Sequence, residues 1–142
     1  MNARYQRFAL AVAILIGGWL AFNVSASVIQ IGDVALQVEI ADTQDKREQG
    51  LSNRESLGER RGMLFLFEKP ERYGFWMKEM NFAIDIIWID KDKSVVEITA
   101  NVDPKTFPEI FYPKEIIQYI IETQAGWAKV NEIQLGDKIL GL

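Results

Sequence analysis

The stretch FWMKEMNFAIDIIWID, Phe75 to Asp90, decides how this chain is read. Phe75, Trp76, Met77, Met80, Phe82, Ile84, Ile86, Ile87, Trp88 and Ile89 crowd it, with Lys78, Glu79, Asn81 and Asp85 set among them. The run Ile84 to Ile89 has the length and the β-branched and aromatic content of a buried strand. A charged group inside such a run costs several kcal/mol unless something pairs with it, so each needs a partner or a task.

Working outward, Asp90-Lys91-Asp92-Lys93 is polar enough for a hairpin loop, and a partner strand follows. In it Val96, Ile98, Ala100 and Val102 alternate with Val95, Glu97, Thr99 and Asn101. The segment from Asp103 to Pro113 mixes prolines with Phe107, Phe111 and Tyr112, which predicts a loop laid over the core. Ile116 to Thr123 reads as a strand, Trp127 to Asn131 as a single helical turn with Trp127 and Val130 on one face, and the chain after Gly136 as a short closing strand. Upstream, Tyr73 to Met77 is extended, and Met63 to Phe67 is a buried strand that Lys69-Pro70 should end. Val34, Leu36, Val38 and Ile40 alternate as one face of another strand. Asp42 or Thr43 can cap a short helix that stops at Gly50, and Ser52-x-x-Glu55 offers a second capping box.

The first 26 residues differ in kind. Arg4 and Arg7 precede an uncharged apolar run, Phe8 to Phe22, and Val24-Ser25-Ala26 supplies small residues for cleavage, the layout of a signal peptide. The same segment could instead stay as a membrane anchor, since Asn23 and Val24 can extend it. Residues 1–26 are therefore expected to be a signal peptide or an anchor helix, with residues 27–142 forming a single globular domain outside the cytoplasm, secreted, periplasmic or membrane-anchored. Membrane contact is expected only through residues 8–24.

The whole chain of 142 residues carries a net charge of −4, and removing residues 1–26 leaves 14 basic against 20 acidic residues, net −6. Such a surface repels phosphate backbones, which argues against a nucleic-acid partner. There is no cysteine, so no disulfide supports the fold. Histidine is absent too, which excludes Ser-His-Asp and Cys-His catalysis and the usual zinc ligand sets.

Several separated motifs carry a family resemblance. Arg47-x-x-Gly50-Leu51, Gly62-Met63-Leu64-Phe65, Phe75-Trp76-Met77-Lys78, Ile84-Asp85-Ile86-Ile87, and Ala125-Gly126 followed by Gly136-Asp137 stand in an order that resembles the domain of unknown function 192 family, also called uncharacterised protein family 0127. The resemblance covers residues 33–140. It implies a mainly β domain with short helices, a compact antiparallel or mixed β sandwich or barrel, and no established reaction. After Trp76-Met77-Lys78 the chain departs from the family's usual wording, with Glu79-Met80 in place of Asn-Thr and Ala83-Ile84 in place of Pro-Leu.

Three classes of function follow. A noncatalytic ligand-binding or interaction module would use Trp76, Met77, Lys78, Asp85 and Arg47, with a small molecule, sugar or peptide of the cell envelope as partner. A carboxylate-dependent hydrolase would use Glu79 and Asp85. A purely structural accessory domain would use none of them. Arg47 and Arg54 together suit an anion clamp or ordinary ion pairs. Asp90 and Asp92 lack the continuation of a calcium loop, and Met63, Met77 and Met80 sit in apolar surroundings that suit packing, so no cofactor or metal is expected.

Overall fold

Strand β5 (Ile84–Ile89) forms where the central stretch places it, and all six of its residues are buried. Both of its edges are paired inside a seven-stranded sheet, and each of its faces packs into a separate core cluster. The computed structural model describes residues 26–142 and contains, in chain order, β1 (Ala26–Ile31), β2 (Val34–Ala41), α1 (Gln44–Gln49), β3 (Arg61–Glu71), β4 (Phe75–Trp76), β5, β6 (Val95–Val102), a 3-10 turn (Pro104–Thr106), β7 (Ile110–Phe111), β8 (Ile117–Gln124), α2 (Trp127–Val130) and β9 (Ile139–Leu140). The sheet order is β6-β5-β8-β3-β2-β1-β9, and β4 pairs with β7 apart from it. Neighbouring strands are antiparallel except β2 and β3, which run parallel because α1 and the loop after it return the chain to the same end of the sheet.

The two edges of this order meet. Ser94 bridges Lys138, the Val95 N–H donates to the Asp137 carbonyl at 2.9 Å, and the Gly136 N–H donates to the Val95 carbonyl at 2.8 Å. The protein is thus mainly β, a half-barrel with two short helices, and its exposed edges shield one another at that corner.

Side-chain alternation sorts the core into two clusters. Leu36, Val38, Leu64, Ile87, Ile89 and Ile121 fill one face together with Trp127 and Ala128 of α2. Met63, Phe65, Ile84, Ile86, Trp88 and Ile120 occupy the other, under Leu51, Leu57 and Met77 from the connecting segments. Burial of such side chains contributes about 1.5–3 kcal/mol each and holds an uncross-linked fold together.

Helix α1 starts where expected, with the Thr43 hydroxyl accepting from the Lys46 N–H. It stops at Gly50, whose φ of +47° few other residues tolerate. Several local expectations need correction. Strand β1 is additional to those read from the sequence. Pro70 does not end β3; the ladder to β8 slips between Leu66 and Glu71, and the proline sits in that irregularity. Ser52 caps no helix, its hydroxyl donating instead to the Lys78 carbonyl at 3.0 Å. In β6 register shifts against β5 break the apolar alternation, leaving Val95 and Val102 as its buried residues. Val130 is exposed while Trp127 is buried, so they share no face. The signal or anchor expectation covers residues 1–26, of which 1–25 lie outside the described ones, and Ala26 is the first residue of β1. Among the described residues no helix is long and apolar enough to cross a membrane.

Candidate functional site

The five residues singled out by sequence reading separate into two groups. Asp85 belongs to the interior. It is 0% exposed, and its Oδ1 accepts from the N–H groups of Asn101 at 2.9 Å and Gly126 at 3.1 Å while Oδ2 accepts from Ala128 at 3.0 Å. Those bonds tie β5 to the end of β6 and to the start of α2, so the carboxyl group closes a structural joint. Met77 is fully buried among Phe65, Trp88 and their neighbours. Glu79 lies exposed on a turn with φ +57°, accepting a hydrogen bond from Asn53. The two acids of a hydrolase are therefore not brought together, and neither lines the cleft described next.

Arg47, Trp76 and Lys78 do converge. They line an open cleft of about 510 Å³ on the face of the sheet that carries Phe65 and Trp88, within the 300–1,000 Å³ common for small-molecule sites. One wall is aromatic: Phe65 and Phe67 from β3, and Tyr73, Phe75 and Trp76 around β4. These rings hold each other in place. Phe67 stacks on Tyr73 with centroids 3.7 Å apart, Phe65 meets Phe75 edge-on at 4.8 Å, and Phe75 meets Trp88 at 5.9 Å. Trp76 is 49% exposed and is braced by Phe107 at 5.6 Å, so the proline-rich segment supports the wall from outside.

Two cations stand at the mouth. The Arg47 guanidinium lies 5.3 Å from the centre of the Phe67 ring and donates to the Leu66 carbonyl, which orients it from α1. The Lys78 ammonium lies 5.7 Å from the Trp76 ring. Arg54 is engaged elsewhere, in a bidentate pair with Glu39 at 2.7 Å for both bonds. That pair holds the Glu39 carboxyl below its usual range.

Glu122 lies in the cleft lining and is the residue that sequence reading passed over. It is on β8, opposite Met63 of β3 and Ile86 of β5, and is only 5% exposed. Among the described residues nothing hydrogen bonds to its carboxyl group. Burial, only partly offset by the positive charge of Arg54, pushes that carboxyl up to about 8. At neutral pH it is largely a carboxylic acid, able to donate one hydrogen bond and accept others. A signal was available: Glu122 shares a face with Ile120 in a strand of apolar residues, the same pattern that drew attention to Asp85.

The family model described as an uncharacterized ACR, DUF192, matches residues 27–141. The chain belongs to the DUF192 family. A UPF0127 protein of Pyrococcus abyssi is 32% identical over 108 residues, covering 72% of this chain and 84% of that protein. Another from Pyrococcus furiosus is 29% identical over 112 residues, covering 75% and 88%. Among solved structures, one from Sinorhizobium meliloti 1021, described as a "putative transcription regulator", superposes with a TM-score of 0.76 at 30% identity, covering 82% of this chain and 92% of that one. One from Novosphingobium aromaticivorans, described as a protein of unknown function, gives 0.75 at 26% identity, covering 82% and 85%. Of the motif residues quoted for the resemblance, Arg47, Gly50, Leu51, Phe65, Phe75, Trp76 and Lys78 line the cleft, whereas Asp85 and Gly126 meet at the structural joint.

Proposed function

We propose that this DUF192 protein is a noncatalytic binding module for a small organic ligand with a flat or apolar body, held in the cleft between the aromatic wall and Glu122. The observation that carries this reading is Glu122 in the cleft lining, a nearly buried residue whose carboxyl oxygens reach the cleft surface and have no partner among the described residues. A neutral acid at a cleft wall keeps one hydrogen to donate and lone pairs to offer, bonding capacity that a bound molecule can take up. Rings braced against each other add a preformed surface, so binding loses little ordering entropy.

The module is placed outside the cytoplasm, either free or anchored, on the strength of Arg4, Arg7, the apolar run Phe8 to Phe22 and the small residues that follow. A nucleic-acid role, suggested by the wording attached to the Sinorhizobium protein, sits poorly with the net charge of −6 beyond residue 26 (14 basic against 20 acidic residues).

Trp76 provides the test. It is exposed in the cleft while Trp88 and Trp127 are buried. A panel of aromatic acids, sugars and short peptides titrated into the full chain should include a member that changes tryptophan emission saturably, and Trp76→Ala should abolish that change. A response that survives in Trp76→Ala would place binding elsewhere and refute the assignment.

A further inference from the structure

Resting on the binding reading above, we infer that the ligand class is a carboxylate-bearing molecule with an apolar body and an oxygen acceptor at its inner end, such as an N-acyl amino acid or a peptide C-terminus: Arg47 and Lys78 take the carboxylate and Glu122 donates a hydrogen bond to the inner oxygen.

The distribution of charge around the cleft argues for this class. From α1 the cleft receives Arg47 and Glu48, from the segment after β4 Lys78, and from β8 Glu122; Arg54 lies near Glu122 but is committed to Glu39 of β2. Glu48 is exposed and accepts from Gln44, so within the cleft lining two cations face one solvated anion, while Glu68, Lys69 and Glu71 share a neighbouring depression with Arg47 and Tyr73. An anionic end is attracted there, whereas an ammonium is repelled on its way in.

Deeper in, the surroundings of Glu122 favour a neutral acid. Its ladder neighbours Met63 and Ile86 offer no side-chain donors, and a carboxylate would need two or more donors to be stable in such a place. A ligand amine could supply them, yet it would have to pass the cations at the mouth and settle near Arg54. A carbonyl, ether or hydroxyl oxygen needs only the proton that Glu122 already holds. The rings of Phe67, Tyr73 and Trp76 then cover the body between the two polar ends.

The experiment uses the full chain and three probes followed by tryptophan emission excited away from phenyl absorption: N-acetylphenylalanine, its uncharged amide, and phenethylamine. N-acetylphenylalanine is expected to bind more tightly than the amide, with affinity level up to about pH 7, roughly halved at pH 8 and roughly 30-fold weaker by pH 9.5, because binding requires the protonated acid. Glu122→Gln, whose side-chain amide still donates, should bind with no fall in that range. Lys78→Ala should lower affinity for the acid and leave the amide unaffected. Phenethylamine binding that strengthens with pH and is lost in Glu122→Gln would overturn the proposal in favour of a cation site. Equal affinity for acid and amide, or an unaltered pH profile in Glu122→Gln, would also overturn it. If a sugar from the wider panel quenches Trp76 while N-acetylphenylalanine does not bind, the ligand class fails and the cleft remains the binding site.

Discussion

Replacing Glu122 with glutamine should stabilise this protein at neutral pH, although it alters a buried residue next to the cleft. The cause is proton linkage. In the unfolded chain the carboxyl titrates at its ordinary value of 4.5, while in the folded chain burial pushes it up to about 8. Between those values the folded state holds a proton that the unfolded state has released, so stability falls as pH rises, by about 1.4 kcal/mol per pH unit. The loss begins near pH 4.5 and is complete near pH 8, where both states have released the proton. Glutamine has the same shape and no charge to bury. It should therefore exceed the wild type by roughly 3 kcal/mol at pH 7 and about 4–5 kcal/mol above pH 8, and match it near pH 4. Urea unfolding of both full chains at half-unit steps from pH 4.5 to 9 reads the difference directly. Glu39 does not enter this window, since its lowered carboxyl loses stability only as pH falls below 4.5. Wild-type and Glu122→Gln stabilities that run parallel across the window would refute the placement of a neutral acid in the cleft.

Two further substitutions probe the frame that holds the cleft. Asp85→Ala orphans the buried N–H of Ala128 and the part-buried N–H groups of Asn101 and Gly126, and should cost about 2–3 kcal/mol in urea unfolding, most of it from the buried donor. Loss of less than about 1 kcal/mol would contradict the joint described above. Gly62→Ala would put a methyl group 2.9 Å from the Glu122 carbonyl oxygen and 3.0 Å from Leu36 Cδ2, forcing β3 and β8 apart at the strand that carries Glu122. Thermal unfolding should show a loss of about 1–3 kcal/mol, and an unchanged midpoint would mean the sheet yields there without cost.

Asp85 and Glu122 divide what is legible in sequence from what is not. Both are acids set in apolar strands, and no local feature of IDIIWID or IIETQ distinguishes their fates. Asp85 meets three backbone donors because the end of β6 and the start of α2, distant in sequence, arrive at the end of β5. Glu122 meets Met63, Ile86 and open cleft because β8 is inserted between β3 and β5. Arg47 and Arg54 divide similarly: one reaches the cleft mouth, and the other is consumed by Glu39 from a strand fifteen residues earlier.

The mainly β character, most strand positions, helix α1 with its cap and stop, and the family were determined by the sequence itself, because side-chain alternation, turn residues and motif order are local properties. So was the exclusion of histidine and cysteine chemistry. The tertiary structure alone decided the closure of the sheet into a half-barrel, the irregularities around Pro70 and in β6, and which charged residues face a cleft. Those outcomes depend on which strands become neighbours, and a carboxyl group is made structural or available by what packs against it, not by the residues beside it in the chain.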